Sequence, residues 1–405
     1  MDALDILTNL EYIVPFFQPI FSADEHRIIG YEILGRIQTE SGYESLGPFF
    51  LDETIPEEYR LEVDNVVLKK ALERAAELED DVLLFINRDA ELLMMDDGEQ
   101  LLDILRDFER IGITLDRLVL EITERNFTGD YEHLCHLFNY YRTYGIKVAI
   151  DKLGEDSSQL DQIGQISPNI LKINLMALRS MHSTTAFQDI LFSISILARK
   201  IGAMLLFENI ETGYQLQFAW KHGGRYYQGY YLHRPDIDFI NRDILKSKLK
   251  SEFHQFIMYE KKKLEALFSI TDRFQKRIQE LLMKNKNVEH YEELLFNLAK
   301  EMNHIAFRMY ICDEDGFQLS PNILKKDDMW MIQKEYTQKN WSWRPYFLEN
   351  IFKMKSEKKG ILSDLYCDIE SGETIRTFSY PLNTKEYLFI DITYEFLYEH
   401  EELLY

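Results

Sequence analysis

Two short runs decide the fold: Leu118-Val119-Leu120-Glu121 and Val148-Ala149-Ile150-Asp151 are apolar segments that each end in a carboxylate. Eight apolar runs recur through the first 235 residues, with amphipathic stretches between them; they occupy residues 12–21, 28–34, 82–87, 118–123, 146–151, 169–174, 203–208 and 226–231. Alternating strands and helices favour a mainly parallel sheet, and eight units predict a TIM-type (β/α)8 barrel, an α/β fold. An open doubly wound sheet is the alternative.

The pattern changes after the last run. Residues 244–286 predict a long helical linker, because apolar residues recur at helical spacing while lysines and glutamates fill the other positions. One more helix and several short strands follow. We therefore expect a barrel over residues 1–243, the linker over 244–286 and an α+β domain over 287–405.

The composition limits the class of protein. A formal net charge of -23 disfavours binding to nucleic acid polymers or to an anionic membrane, because the long-range field repels both. No apolar run is long enough to span a bilayer and the N-terminus lacks the features of a signal peptide, so we expect a cytoplasmic protein. The three cysteines have neither paired nor metal-type spacing, which predicts free thiols and disfavours structural zinc.

Polar residues at the strand ends predict the functional site. The carboxyl ends of barrel strands converge on one mouth, where several carboxylates would repel each other unless a cation joined them. Oxygen ligands without His or Cys select a hard ion such as Mg²⁺, Mn²⁺ or Ca²⁺. One strand-end carboxylate is more often a helix cap or a surface charge, but here polar side chains end most of the runs: Glu32, Asn87, Glu121, Asp151, Lys172, Glu208 and Gln228.

The ordered motifs of this region resemble those of EAL domains. They are Phe17-Gln18-Pro19-Ile20, Gly30-Tyr31-Glu32-Ile33-Leu34-Gly35-Arg36, Phe85-Ile86-Asn87, Glu121-Ile122-Thr123-Glu124, Asp151-Lys152-Leu153-Gly154, Leu171-Lys172-Ile173, Glu208-Asn209-Ile210-Glu211 and Gln228-Gly229-Tyr230 with Pro235. The resemblance implies a barrel that binds cyclic di-GMP through divalent metal and, in active members, cleaves it to linear pGpG with two metal ions.

The resemblance also implies roles for single residues. Metal ligands would be Glu32, Asn87, Glu121 and Asp151; catalytic residues would be Lys172 and Glu208; dinucleotide contacts would be Gln18, Leu34, Arg36, Gln228 and Pro235; and loop or dimer coupling would involve Glu124 and Lys152. We expect Mg²⁺ or Mn²⁺, with Ca²⁺ able to occupy the site, and no organic cofactor.

Departures from the family pattern fall in the catalytic half. Lys152 stands where the family has a second-metal carboxylate, and Asn174 stands where it usually has Asp. The loop at 155–158 also differs from the family's Gly-aromatic-Ser-Ser stretch. Losing one metal's contribution would slow hydrolysis by several powers of ten, whereas binding need not suffer. Lys152 could instead point away from the mouth, since neighbouring residues on a strand face opposite sides.

The C-terminal motifs resemble PAS- or Cache-like sensor folds. A cluster of Trp341, Trp343, Arg344, Pro345 and Tyr346 could line a pocket for an unknown small ligand, although such aromatics could equally form core. We expect a homodimeric signalling protein. The leading hypothesis is a receptor with weak or absent hydrolysis, the second is an active phosphodiesterase controlled by the C-terminal domain, and the third is a partner-binding barrel without either property.

Overall fold

A computed structural model of the chain describes residues 3–123, 129–153, 160–176, 184–344, 347–400 and 403–404. The chain divides into two compact units, Met1–Phe256 and Ile257–Tyr405. The strands of the first unit are β1 (Ile13–Ser22), β2 (Ile28–Thr39), β3 (Gly42–Ser45), β4 (Leu83–Asp89), β5 (Leu118–Thr123), β6 (Lys147–Leu153), β7 (Ile170–Asn174), β8 (Met204–Glu208) and β9 (Gly224–Tyr227).

Eight of these strands close into the predicted barrel. Strand β2 and strands β4 to β9 are neighbours in chain order and run parallel, and β1 pairs with both β9 and β2. Strand β3 extends β2 as a hairpin. Because the pairing of β1 with β2 leaves no open edge between them, the doubly wound alternative is excluded.

The first strand differs from the expected pattern of strands separated by helices. It runs antiparallel to both of its neighbours. Only residues 23–27 join it to β2, and a parallel crossover needs a dozen residues or more, so this connection can only be a hairpin. The prediction of a helix after every run was wrong at this connection.

The barrel interior is filled by one large layer with a residue from each of the eight strands. Its members are Ile20, Ile29, Phe85, Val119, Ala149, Ile170, Leu206 and Tyr226. A second and larger apolar core lies between the strands and the surrounding helices. The barrel is therefore packed through its centre, and only its ends can carry a site.

Helices of the first unit are α1 (Ala3–Leu7), α2 (Gly47–Leu51), α3 (Glu57–Ala75), α4 (Ala90–Met94), α5 (Glu99–Glu109), α6 (Tyr131–Thr143), α7 (Leu160–Ile166), α8 (Thr184–Ile201) and α9 (Gly213–Lys221). Several begin at residues that cap them. The Asp130 carboxylate accepts hydrogen bonds from the backbone N–H groups of Glu132 and His133, and Thr212 and Gln215 form a capping box.

The second unit contains a six-stranded antiparallel sheet with the order β12-β11-β10-β17-β16-β13. Its strands are β10 (Ala306–Asp313), β11 (Asn322–Lys326), β12 (Met329–Gln333), β13 (Ile361–Leu362), β16 (Thr377–Pro381) and β17 (Glu386–Ile392); β14 (Tyr366–Cys367) and β15 (Thr374–Ile375) form a separate ribbon. The predicted α+β architecture of the C-terminal part is confirmed.

Long helix α10 (Lys246–Lys284) contributes to both units, and α11 (Tyr291–Glu301), α12 (Phe347–Glu357) and α13 (Tyr394–Glu399) complete the second. Leu249, Phe253 and Phe256 belong to the first core, whereas Ile270 and Phe274 belong to the second. The domain boundaries at 243 and 286 stay a prediction. No helix in the described part of the chain is long and apolar enough to cross a membrane.

Candidate functional site

Six of the parallel strands carry a polar residue, at or just past the carboxyl end, two positions after the residue that fills the barrel interior. The pairs are Phe85 and Asn87, Val119 and Glu121, Ala149 and Asp151, Ile170 and Lys172, Leu206 and Glu208, and Tyr226 and Gln228. Residues two apart on a strand share a face, so the polar layer lies directly beyond the apolar layer at the carboxyl ends of the strands.

Lys172 occupies the centre of this polar layer. Its ammonium Nζ lies 2.9 Å from Glu121 Oε2, 3.1 Å from Glu32 Oε2 and 3.7 Å from both Asp151 Oδ1 and Glu208 Oε2. Burial acts to lower the pKa of the Lys172 ammonium, but the four carboxylates outweigh it and raise this pKa well above its ordinary value. Lys172 is therefore a buried cation that holds the carboxylates together.

Glu32 is held by three donors. Its carboxylate accepts hydrogen bonds from Asn87 Nδ2 at 2.8 Å and Gln228 Nε2 at 2.6 Å, in addition to the Lys172 contact. Burial acts to raise the pKa of Glu32, but the Lys172 charge and these hydrogen bonds outweigh burial and lower the pKa. Glu32 therefore stays ionised in a buried position.

Glu121 is fully buried and incompletely satisfied. Its Oε2 accepts a hydrogen bond from Lys172, whereas its Oε1 has no hydrogen-bond partner among the described residues. Burial and the neighbouring Glu32 charge raise the pKa of Glu121 well above its ordinary value, and Lys172 offsets this only in part. A buried carboxylate oxygen without a donor is rare and calls for a ligand.

A cavity of about 420 Å³ opens beside this cluster. Its walls include the cluster residues Glu32, Asn87, Asp151 and Glu208. The rest of the described lining comes mainly from β2, the segment around α2, and α3: Leu34, Gly35, Arg36, Ser45, Gly47, Phe50, Leu51, Asp64, Val67 and Leu68, with Arg88, Asp89, Leu92, Asn174 and Asn209. The cavity is thus polar at the barrel mouth and has both polar and apolar walls beyond it.

Sequence reasoning missed an ion pair on this wall, in which Arg88 is buried and Asp64 is half-buried. The Arg88 guanidinium donates a hydrogen bond to the Asp64 carboxylate, and both residues line the cavity. Burial raises the pKa of Asp64 even though Arg88 opposes it. Arg88 directly follows Asn87, a predicted site residue, and this position could have indicated that Arg88 lies near the site. Asp64 lies in the middle of α3, where nothing in the sequence indicates a place at the site.

A close approach of two loops positions Gln228. Ile210 N–H donates to the Gln228 carbonyl and Tyr231 N–H donates to the Ile210 carbonyl. Gly229 has φ +152°, and a Cβ there would lie 2.2 Å from both the N and O of Ile210. Only glycine permits this contact, which carries the loop of Gln228 against the loop after Glu208.

The structure places the other predicted residues as follows. Leu34, Arg36 and Asn174 line the cavity. Gln18 is paired with Glu32 across β1 and β2, but its amide donates to the His233 carbonyl. The described lining includes neither Gln18 nor Gln228 nor the half-buried Pro235, and their contacts with a ligand stay a prediction. Glu124, the loop at 155–158 and the side chain of Lys152 lie outside what the structure describes.

The chemistry of the cluster fits a divalent cation. The predicted ligands Glu32, Asn87, Glu121 and Asp151 offer only oxygen donors of the kind that hard ions select, and Glu121 Oε1 has no other partner among the described residues. As the described side chains stand, with Lys172 among them, no three His, Cys, Asp or Glu are arranged to hold a metal ion by themselves. The ligand set therefore stays a prediction.

Two family models match the chain and together cover nearly all of it. The model of the EAL domain matches residues 3–235, and that of an EAL-domain associated signalling protein domain matches residues 239–404. The first match agrees with the resemblance to EAL domains, and the second agrees with the predicted signalling domain after the barrel. The resemblance of the C-terminal part to PAS- or Cache-like folds stays a prediction.

Individual relatives extend this similarity to the whole chain. The chain is 53% identical to the EAL-domain containing protein YkuI of Bacillus subtilis (strain 168), over the full length of both. The crystal structure of that protein in complex with substrate cyclic di-GMP and calcium matches with a TM-score of 0.96 and 52% identity, again over both full chains. A probable cyclic di-GMP phosphodiesterase, PdeG of Escherichia coli (strain K12), is 27% identical over 59% of this chain and 48% of its own.

Proposed function

This chain belongs to the EAL-domain family, and from that premise we propose that its barrel binds cyclic di-GMP through a divalent cation and hydrolyses it weakly or not at all. The observation that carries the proposal is the buried Glu121 oxygen without a donor, in a cluster whose other carboxylates Glu32, Asp151 and Glu208 line a 420 Å³ cavity. The crystal structure of the similar YkuI protein contains both cyclic di-GMP and calcium, which supports the choice of ligand.

The cation would be held by Glu32, Asn87, Glu121 and Asp151. When bound, a divalent cation supplies the positive charge that attracts phosphate oxygens and polarises the phosphodiester. This chain's own residues do the remaining work of binding. Arg36 offers a guanidinium fork for a phosphate or a guanine edge, while Leu34 and Phe50 offer an apolar wall for a base.

The Asp64–Arg88 pair gives this wall a second polar element. The Asp64 carboxylate can accept hydrogen bonds and the Arg88 guanidinium can donate them, which suits the guanine edge with its donors and acceptors. Because both side chains are already paired with each other, they are held in place before a ligand arrives. We propose that the pair orients one base of the dinucleotide.

Impaired hydrolysis is proposed from the composition of the mouth. Asn174 lines the cavity and its Oδ1 accepts a hydrogen bond from the Met176 N–H, so this position brings an amide rather than a negative charge to the site. Lys152, adjacent to Asp151, adds a positive charge in sequence. Both changes disfavour a second divalent cation, and hydrolysis in this family uses two.

An active phosphodiesterase is the second candidate. The observation in its favour is that Lys172 and Glu208, the predicted catalytic pair, do meet at the mouth with 3.7 Å between Nζ and Oε2. For either candidate we propose a homodimer in which the second unit regulates the first by taking a small ligand.

The deciding experiment measures binding and turnover in the same preparation of the full chain. Calorimetry with cyclic di-GMP in Mg²⁺, Mn²⁺ or Ca²⁺, and in a chelator, gives the affinity and its dependence on metal; chromatography of the same mixtures detects pGpG. We expect metal-dependent binding with little or no product. Asn174→Asp and Lys152→Asp, singly and together, should increase the rate of product formation.

The outcomes separate the three hypotheses. Rapid formation of pGpG by the unmodified chain would establish the phosphodiesterase and reject impaired hydrolysis. A chain that neither binds nor hydrolyses cyclic di-GMP, with or without metal, would leave only a partner-binding barrel. Lys262→Asp, the same change as Lys152→Asp at an exposed position of α10, serves as the control and should change neither property.

A further inference from the structure

The beginning of helix α10 contacts the loop that follows β9. The Tyr231 hydroxyl of this loop donates a hydrogen bond to Glu252 Oε1 at 2.6 Å. The Lys248 ammonium lies over the Tyr231 ring, 3.8 Å from its centroid, and donates to the Tyr231 carbonyl at 3.3 Å. Lys248 and Glu252 are four residues apart and share one face of the helix. We call this set of contacts to one residue the Tyr231 clamp.

The Tyr231 hydroxyl is confined where it meets Glu252. Gly213, the first residue of α9, approaches it so closely that a Cβ there would lie 3.0 Å from the hydroxyl oxygen. Glu252 Oε2 is buried and has no hydrogen-bond partner among the described residues, so the carboxylate depends on Tyr231. Burial and the hydrogen bond to Glu252 raise the pKa of Tyr231 to about 12, and the hydroxyl therefore keeps its proton and remains the donor.

A chain of backbone hydrogen bonds leads from Tyr231 to the cation site. Tyr231 N–H donates to the Ile210 carbonyl at 2.9 Å, and Ile210 N–H donates to the Gln228 carbonyl at 3.1 Å. Gln228 N–H donates to the Phe207 carbonyl at 2.9 Å, so the backbone of Gln228 is held at both its N–H and its carbonyl. From this fixed backbone, Gln228 Nε2 reaches Glu32 Oε2 at 2.6 Å.

The same loop is also held from within the barrel. The Gln18 amide on β1 donates to the His233 carbonyl at 2.8 Å. Gln18 belongs to the EAL domain, whereas Lys248 and Glu252 lie beyond the residues that the EAL family model matches. The Tyr231 clamp therefore joins the loop of Gln228 to a helix that follows the EAL domain in the chain.

We propose that Tyr231 and Glu252 are positioning residues of the cation site, which keep Gln228 directed at Glu32 through the Tyr231 clamp. Gln228 is one of the three donors that hold the Glu32 carboxylate, and a metal ligand that loses such a partner binds its cation about tenfold to a hundredfold more weakly. The inference rests on the proposed function and deepens it, because it names the contact through which helix α10 acts on the site.

The first test measures binding of cyclic di-GMP to the full chain by calorimetry in Mg²⁺ or Ca²⁺. Tyr231→Phe and Glu252→Ala should each lower the affinity about tenfold, and the double variant should lower it no further, because both changes remove the same hydrogen bond. Glu252→Gln keeps an oxygen that accepts from Tyr231 and should bind as the unmodified chain does. Unchanged affinity in Tyr231→Phe, losses that add in the double variant, or a full loss in Glu252→Gln would overturn the proposal.

The second test needs no ligand and measures amide hydrogen exchange in the same variants. Loss of a hydrogen bond to a charged group eases local opening, so the Ile210 and Tyr231 amides should exchange about tenfold faster in Tyr231→Phe, while those of β4 and β5 stay unchanged. Tyr214→Phe makes the same change at a residue of α9 that is 71% exposed, and it should alter neither exchange nor affinity. An unmodified chain that binds no cyclic di-GMP would reject the proposed function, whereas unchanged exchange in Tyr231→Phe would overturn this inference.

Discussion

Each unit buries one cation among several carboxylates, and the two clusters differ in how completely the oxygens are satisfied. In the first unit Lys172 contacts four carboxylates at the barrel mouth. In the second, Arg308 contacts three: its Nε donates to Asp391 Oδ2 at 2.6 Å, Nη2 donates to Asp368 Oδ1 at 2.7 Å and Nη1 donates to Glu370 Oε2 at 3.0 Å.

We call the Arg308 cluster closed, because its buried carboxylate oxygens all have hydrogen-bond donors. Asp391 Oδ1 accepts a hydrogen bond from the Thr377 hydroxyl, and Asp368 Oδ2 accepts from the Ser371 N–H and hydroxyl. Among the described residues, no buried oxygen of this cluster is left without a donor. A buried charge network in this state rigidifies a fold and offers nothing to a ligand.

We call the Lys172 cluster open, because some of its buried oxygens have no hydrogen-bond partner among the described residues. Glu121 Oε1 and Gln228 Oε1 both lack a partner among the described residues, and the cluster borders the large cavity. A single ammonium cannot donate to all the surrounding oxygens, because it has three N–H groups and no fork. The comparison teaches that a buried cation with several carboxylates marks a site only where oxygens remain unmatched.

The largest effect on stability is expected from removing the cation of the closed cluster. Arg308→Met leaves Asp368 and Asp391 buried without their partner, which should lower the free energy of unfolding by about 3–5 kcal/mol. Urea denaturation followed by tryptophan fluorescence measures this, because Trp330, Trp341 and Trp343 all lie in the second unit. Arg277→Met, which breaks a half-exposed pair with Glu301, is the control and should cost about 1 kcal/mol or less.

A smaller loss is expected from neutralising one carboxylate of the closed cluster. Both oxygens of Asp391 accept hydrogen bonds, so Asp391→Asn turns an amide N–H toward a donor and should cost about 1–3 kcal/mol. The same denaturation experiment detects it. An unchanged free energy of unfolding would mean that the network is not closed in the way described.

The sequence foresaw the first cluster and not the second, for a physical reason. All the mouth residues except Glu32 follow an apolar interior residue by two positions, as Glu121 follows Val119 and Lys172 follows Ile170. Strand periodicity and barrel convergence were therefore enough to bring them together. What could not be predicted was that Lys172 would be the centre of the cluster.

No such periodicity links the residues of the second cluster. Asp391 lies on β17 and Asp368 in the turn after β14, and their meeting with Arg308 on β10 depends on the pairing of an antiparallel sheet. The Asp64–Arg88 pair was missed for the same reason, because its partners lie on a helix and a strand end with unrelated periods. The antiparallel β1, by contrast, was predictable, since five residues cannot hold a crossover helix.

Acid should weaken the second unit through Asp368. Burial acts to raise the pKa of this carboxyl, but Arg308 and the Ser371 hydrogen bonds outweigh burial and lower it. The folded-state pKa thus lies below the unfolded one, so the stabilisation is complete above about pH 5 and is lost as pH falls through the folded value. Denaturation midpoints measured from pH 6 down to pH 3 should show this loss, and Arg308→Met should show less of it than Arg277→Met.

Substitution of Glu121 in the open cluster is expected to have the smallest effect on stability. The same substitution is expected to have the largest effect on binding of cyclic di-GMP. Glu121→Gln keeps the shape of the side chain, leaves an oxygen for Lys172 and removes a negative charge that lies beside Glu32 and Asp151, so the free energy of unfolding should change by about 1 kcal/mol or less. The change also removes a charged ligand of the proposed cation, so metal-dependent affinity for cyclic di-GMP should fall about tenfold to a hundredfold, measured by calorimetry.

Asp391→Asn is the matched change in the closed cluster and should give the reverse result, a less stable chain whose folded fraction binds normally. If Glu121→Gln instead lost stability while keeping its affinity, the open cluster would be structural and the distinction between the two networks would not hold.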